Sequence, residues 1–336
     1  MKHYIFAAVL VIILTIASLV GLDQIRLLPE QASLQAEPID FLFDIEFKII
    51  AFLFAVIVGL MLYSIIVFRR KPGDESDADH VEGDTRLEVL WTIAPLVTVL
   101  YISFLGAQVL GETLRADPQP LEVNVISYQW DWRFEYPQSE ITSTELVLPV
   151  DKQALLHISS RDVIHSFWVP EFRLKQDALP GGEEFVRDLR LTPTKMGEYK
   201  VVCAELCGRG HWNMVRPVKV MSQADFDAWV QSQLTPLAGT PAERGAVWAD
   251  RFGCLACHST DGTPGIGPSW KGIYGSEETL ADATKVLVGD EYIFESIRDP
   301  GAGIVEGFQN IMPPDISRDM TDEQIQDLIE FIKSFK

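Results

Sequence analysis

Residues 203–214 read Cys-Ala-Glu-Leu-Cys-Gly-Arg-Gly-His-Trp-Asn-Met. Cys203 and Cys207 stand four apart, His211 four further on, and Met214 three beyond that. Soft sulfur together with imidazole is the ligand set of a copper electron-transfer centre. A mononuclear blue site needs one cysteine, whereas two thiolates can bridge two metals, so this spacing points to a binuclear copper site. A disulfide is the plain alternative in an oxidising compartment, but it has no use for the neighbouring histidine and methionine. Zinc is the other, and Met214 is a poor zinc ligand. The loop still wants a second nitrogen ligand, and His165, in Arg-Asp-Val-Ile-His-Ser-Phe-Trp-Val-Pro, is the upstream candidate. A lone histidine in such an apolar stretch is otherwise a core residue. His157 alternates along a strand pattern and is read as structural.

The frame around this loop is a β domain. Short alternating apolar segments run from 121 to 221, separated by Pro and Gly turns, as in a small sandwich or barrel. A Greek-key sandwich can hold a metal loop between two late strands. Residues 223–233 have a helical pattern. Tyr128-Gln-Trp-Asp-Trp-Arg-Phe-Glu-Tyr136 alternates as a strand does, which puts its aromatics on one face.

The set Asp162, His165, Cys203, Glu205, Cys207, His211 and Met214 resembles subunit II of haem-copper cytochrome c oxidases. The likeness covers roughly residues 40–235, two transmembrane helices and a copper domain of the cupredoxin fold. It implies that Cys203 and Cys207 bridge both coppers of a copper A centre. His165 and His211 would each bind one copper, and Met214 would be a weak ligand. Glu205 would give its backbone carbonyl to copper and its carboxylate to a magnesium ion at the boundary with subunit I. It also implies that Trp130 is the electron entry point, with Trp132 left to pack. Quinol oxidases share the fold without these ligands.

A second chemical feature is independent of the first. Cys254-Leu-Ala-Cys257-His258 is the covalent haem c attachment motif. The sixth ligand of such a haem is usually methionine. Met312, in Asn-Ile-Met-Pro-Pro, lies in a proline-stiffened loop that can present its side chain at little entropic cost. Met320, ahead of Thr-Asp-Glu, is read as packing or capping. Residues 241–336 resemble a class I, all-α cytochrome c, including the Gly-Ile-Gly-Pro run at 265–268 and an amphipathic last helix. All four cysteines are then assigned and none remains for a structural disulfide.

Two apolar runs, 49–68 and 89–109, are each long enough to span a hydrocarbon core of about 30 Å. Arg69-Arg70-Lys71 follows the first and places that end in the cytoplasm. The copper and haem domains then face the periplasm or cell exterior of a bacterial plasma membrane. Glu88 opens the second span. The resemblance puts a glutamate here at the entrance of a proton channel into subunit I; a plain interfacial anchor is the alternative. The run from 4 to 22 fits a signal peptide or an additional transmembrane helix, with a retained helix favoured by its length and the weak cleavage site after it.

The expected organisation is therefore a signal peptide or extra helix at 1–22, a transmembrane helical hairpin at 40–112 and a copper domain at 118–234. A stiff linker at 235–241 and a cytochrome c domain at 242–336 complete it. The chain carries a net charge of −20, and residues 237–336 hold 8 Lys and Arg against 17 Asp and Glu. That excludes nucleic acid as a partner and permits steering of a basic donor. The expected function is subunit II of a proton-pumping terminal cytochrome c oxidase. Electrons from cytochrome c or another periplasmic donor enter at haem c, pass through copper A, and leave for haem in subunit I, where oxygen is reduced to water. The chain alone would not be catalytic. A free-standing electron carrier or copper-delivery protein and a nitric oxide reductase subunit are the rival readings.

Overall fold

The computed structural model describes residues 2–25, 27–70, 72, 73, 75, 77, 80, 82–234, 237–314, 316–318 and 320–336. Lys71 of the basic run and Thr235 and Pro236 of the linker lie outside them. The chain divides into two compact units, Met1–Arg115 and Ala116–Lys336.

The first unit holds three helices long and apolar enough to cross a membrane: α1 (Lys2–Ile25), α2 (Ala36–Val67) and α3 (Thr85–Thr113). α2 starts well ahead of its apolar run. Its first turns carry Glu37, Asp40, Asp44, Glu46 and Lys48, and Asp44 pairs with Lys48 one turn on. Along α2, Ala51, Ala55 and Gly59 are buried. A Cβ added to Gly59 would lie 3.2 Å from Val11 of α1, so the small residues let two helix backbones approach. His3 Nδ1 also meets the Tyr63 hydroxyl at 2.8 Å. α3 is capped by Asp84, whose carboxylate accepts from the amides of Arg86 and Leu87.

The second unit begins with a β-sandwich. One sheet has the order β3-β2-β1-β5-β8 and the other β4-β10-β9-β6-β7. The strands are β1 (Leu121–Tyr128), β2 (Asp131–Tyr136), β3 (Ile141–Ser143), β4 (Leu146–Pro149), β5 (Ala154–Ser160), β6 (His165–Val169), β7 (Leu174–Ala178), β8 (Arg187–Leu191), β9 (Gly197–Cys203) and β10 (Val215–Met221). Inward residues alternate with outward ones along β1 and β5. Trp132 of β2 meets Phe167 of β6 edge to face across the core, at 5.8 Å. Helix α4 (Gln223–Leu234) closes the domain.

The aromatic stretch differs from the expected single strand face. The chain reverses at Gln129 and Trp130, so Tyr128 ends β1 and pairs with Asp131 at the start of β2. Trp132, Phe134 and Tyr136 enter the core, whereas Trp130 sits in the turn. The reversal moves the inward face from odd positions in β1 to even positions in β2, a shift that the unbroken aromatic alternation of the sequence hides.

The haem-motif domain packs α5 (Pro241–Arg251) across α7 (Asp322–Lys333), with α6 (Asp290–Arg298) beside them. Both α5 and α7 start with complete capping boxes, Thr240/Glu243 and Thr321/Gln324. Pro241 is the first residue of α5, a position where its missing N–H costs nothing. At the crossing, a Cβ on Gly245 would fall 2.0 Å from the Asp327 carbonyl oxygen. Arg244 grips the Asp327 carboxylate through both branches of its fork, at 2.8 and 2.5 Å. A two-stranded ribbon, β11 (Glu277–Thr279) and β12 (Lys285–Leu287), interrupts an otherwise helical domain. Its three-residue strands are too short to show a period in the sequence.

Candidate functional site

β6 contributes His165 at its first residue and β9 contributes Cys203 at its last. The loop between β9 and β10 carries the rest. Its mouth is closed by two backbone bonds, Cys203 N to Met214 O at 3.1 Å and Ala204 N to Ser166 O at 2.9 Å. The two cysteine sulfurs lie 3.7 Å apart. His165 Nδ1 stands 3.9 Å from the Cys203 sulfur, and His211 Nδ1 stands 3.6 Å from that of Cys207. The Met214 sulfur is 3.9 Å from Cys207, and the Glu205 carbonyl oxygen is 3.2 Å from Cys203. The loop thus gathers the donors named from sequence into one cluster, with His165, Cys203 and Cys207 placing ligand atoms within 4.8 Å of one another.

A second layer fixes these ligands. Asp162 Oδ1 lies 2.9 Å from His165 Nε2. A carboxylate accepts, so the proton sits on Nε2 and the Nδ1 lone pair faces the sulfurs. Asp162 itself accepts from the amides of Gln129 at 2.6 Å and Val163 at 2.7 Å. Burial would raise its carboxyl, but these donors prevail and hold it below the usual carboxylate range. Burial also raises both thiols. At Cys203 the His165 contact and neighbouring backbone groups outweigh it and bring the thiol down to about 6. Cys207 is pushed up to about 12, by burial and then by the charge on Cys203. Two thiolates this close repel unless cations lie between them, so the donor set fits a pair of soft metal ions.

The loop is also tied to the β1–β2 turn. Gln129 Nε2 and Trp130 Nε1 both donate to the Cys207 carbonyl, at 2.7 and 3.0 Å. A Cβ on Gly210 would lie 2.6 Å from the Trp130 ring, and Gly208 has φ +112°, so neither place accepts a side chain without strain.

The second site is an apolar cleft of the haem-motif domain. Its walls include Cys254, Cys257, His258, Met312 and, from the β-sandwich, Tyr128. The cleft holds about 1310 Å³ of empty space, its open mouth included, and burial raises both of its thiols. His258 Nδ1 lies 2.8 Å from the Pro268 carbonyl oxygen. That oxygen only accepts, so Nδ1 carries the proton and Nε2 keeps its lone pair for a metal. The ring stacks on Trp270 at 5.3 Å, and a Cβ on Gly267 would lie 2.7 Å from it. The Gly-Ile-Gly-Pro run is therefore a close-fitting backing for one imidazole. Met312 and Met320 both line the cleft. Met320 is buried in the domain core, while Met312 is only partly buried against it. A large apolar cleft with two thiols, a fixed imidazole and a thioether fits a haem.

Three family models match this chain. Residues 17–109 match the cytochrome c oxidase subunit II transmembrane domain, 138–222 its periplasmic domain, and 242–336 cytochrome c. Cytochrome c oxidase subunit 2 of Thermostichus vulcanus is 37% identical over 256 residues, covering 60% of this chain and 77% of that relative. The chain belongs to the cytochrome c oxidase subunit 2 family. The subunit of the same name from Alkalihalophilus pseudofirmus is 29% identical over 303 residues, covering 83% of this chain and 85% of its own. The periplasmic domain of subunit II of cytochrome oxidase from Bradyrhizobium japonicum aligns over 36% of this chain and 96% of its own, at 29% identity and a TM-score of 0.33.

Membership makes the chain a component of a haem-copper oxidase that works with other oxidase subunits. It is a membrane protein with a periplasmic domain, and its matched domains imply copper A and haem. Two expected site residues stand outside both clusters. Glu88 is exposed in the first turn of α3, and the Glu205 carboxylate is exposed at the loop surface. Asp162 stands in the motif but its bond to His165 does not show there, and Gln129 is the anchoring residue on which the sequence is silent. Gln129 reaches Cys207 across 78 positions of chain, and no local pattern reports such a contact.

Proposed function

We propose that this subunit takes electrons from cytochrome c or another periplasmic donor at a covalently held haem c and relays them through a binuclear copper centre to subunit I, where oxygen is reduced to water with proton pumping. Two coppers and a haem, when bound, would supply successive one-electron stations. Cys203, Cys207, His165, His211, Met214 and the Glu205 carbonyl would together hold the copper pair. The Cys254 and Cys257 thiols would anchor the haem covalently, and His258 and Met312 would hold its iron. Asp162 fixes the His165 tautomer, and Pro268 fixes that of His258. The Glu205 carboxylate would face magnesium at the subunit I boundary, Glu88 the entrance of a proton channel, and the whole would sit in a bacterial plasma membrane. The domains proposed are 1–22, 40–112, 118–234, 235–241 and 242–336.

One observation carries this reading. Trp130 donates to the Cys207 carbonyl and lines a cleft with Leu255 and Ala256, the two residues between the haem-motif cysteines. One indole is therefore bonded to the loop of Cys207 and shares a cleft with the stretch between Cys254 and Cys257. The test is substrate choice by the purified complex. Reduced cytochrome c should drive oxygen uptake; consumption of nitric oxide without oxygen uptake would overturn the reading in favour of a nitric oxide reductase.

A further inference from the structure

Four consecutive residues connect the two redox sites in different directions. Gln129 and Trp130 donate to the copper loop. Tyr128 and Asp131, which pair across the base of the same turn, face the haem-attachment loop instead. Asp131 is 2% exposed and is held by Arg216 of β10 through a two-pronged pair, Nε to Oδ1 and Nη2 to Oδ2, both 2.5 Å. Asp131 Oδ1 also accepts from the Trp132 amide at 2.7 Å. Against this pair lies Gly253, the residue that precedes Cys254. A Cβ on Gly253 would lie 2.7 Å from Asp131 Oδ2, 3.0 Å from the Tyr128 hydroxyl and 3.7 Å from Arg216 Nη2. Gly253 also has φ +71°, so a side chain is refused by its own backbone and by its neighbour.

A buried ion pair is costly to assemble and costlier to break, because removing one partner leaves an uncompensated charge. Its best-attested use is to fix one arrangement among several. Within the sandwich the pair ties β2 of one sheet to β10 of the other. It also puts polar atoms against the backbone of Gly253, one residue from Cys254.

We propose that Asp131, Arg216 and Tyr128 form a seat for the haem-attachment loop, positioning the haem domain on the copper domain for electron transfer. Gly253 is the matching contact on the haem side. A short tether alone brings the two sites to an effective concentration near millimolar but leaves many orientations. The seat selects one of them. These are positioning residues, and the proposal rests on the haem-to-copper route above.

The test uses the assembled oxidase with two variants that attack the seat from opposite sides, Arg216→Gln and Gly253→Ala. Visible spectra of haem c and copper verify that each site is intact. Pulsed dipolar spectroscopy between the oxidised haem iron and the copper pair then reads their separation. The parent should give one narrow distance, and either variant with intact spectra should give a broad distribution. Flash-induced electron transfer from haem c to copper should fall by about tenfold or more, the scale on which small misplacements act. Reduction of haem c by external donor should be unchanged. A narrow, parental distance in both variants would overturn the seat, whatever the rates do. A narrow distance that broadens in the variants, in a parent that transfers no electrons from haem c to copper, would keep the seat and sink the route.

Discussion

Replacing Asp162 by alanine tests whether the proposed copper ligands are held in place by the residues behind them. The carboxylate accepts from His165 Nε2 at 2.9 Å, from the Gln129 amide at 2.6 Å and from the Val163 amide at 2.7 Å. His165 is fully buried, so Asp162→Ala leaves its ring N–H without a partner, a cost of about 1–3 kcal/mol. The independent scale for losing the outer partner of a metal-bound histidine is roughly 10–100-fold in affinity, or about 1.4–2.7 kcal/mol. The two routes agree. Asp162→Asn keeps an acceptor but loses its charge, and charge-assisted bonds are about twice as strong as neutral ones, so it should lose about half as much. The assay is copper retained by the purified complex against a graded chelator, with haem c as the internal standard. The donors hold the Asp162 carboxyl below its ordinary range. The advantage of Asp over Asn should therefore be full above the unfolded carboxylate pKa, near 3.9, and vanish as pH falls through the lower folded value. Copper retention by Asp162→Ala equal to the parent, within about twofold, would refute the reasoning, because a buried unpaired donor cannot be that cheap.

In metal-free protein, thiolate absorbance assigned by a Cys203→Ser control should rise with a midpoint near 6. The stabilisation from this depressed thiol is full above its unfolded pKa and is lost as pH falls through about 6. Gly245→Ala places a methyl 2.0 Å from the Asp327 carbonyl oxygen; overpacking of about 1–3 kcal/mol should exceed the ~1 kcal/mol helix gain of alanine and lower the melting temperature of the haem domain, read by its haem spectrum. Met312→Ala should lower the haem reduction potential while Met320→Ala lowers stability instead, and the reverse pattern would exchange their roles. Mass spectrometry of the mature chain should find α1 still attached, since Gly59 and Tyr63 of α2 are packed against Val11 and His3.

The elements legible in sequence are those whose signal is local. Cys203 to Met214 lie on one loop, and Cys254 to His258 fall within one turn, so spacing alone exposes their chemistry. The three apolar helices are read from composition. The last helix declares itself through Thr321 and Gln324, a capping box ahead of a periodic apolar run. The β1–β2 hairpin shows the opposite case. Tyr128 to Tyr136 alternates without a break in sequence, yet the two-residue reversal pairs Tyr128 with Asp131 and moves the inward face from odd positions in β1 to even positions in β2, which the pattern alone does not show. The Gly-Ile-Gly-Pro run is visible as a motif, but the reason for Gly267, a ring 2.7 Å from any Cβ, appears only in three dimensions.

Asp131 carries that contrast furthest. In sequence it is one carboxylate among aromatics, and a solvated position would be the ordinary reading. In the structure it is buried, and its partner Arg216 comes from 85 positions away. Gly253, which covers the pair, is more distant still and signals only a turn. A contact among three segments separated by this much chain leaves no periodicity, no spacing and no composition bias at any one of them. The ligands of a redox centre are spaced along the chain by the geometry of the metal. The residues that hold two centres together answer only to the packing of domains, and it is there that folding adds information to the motif.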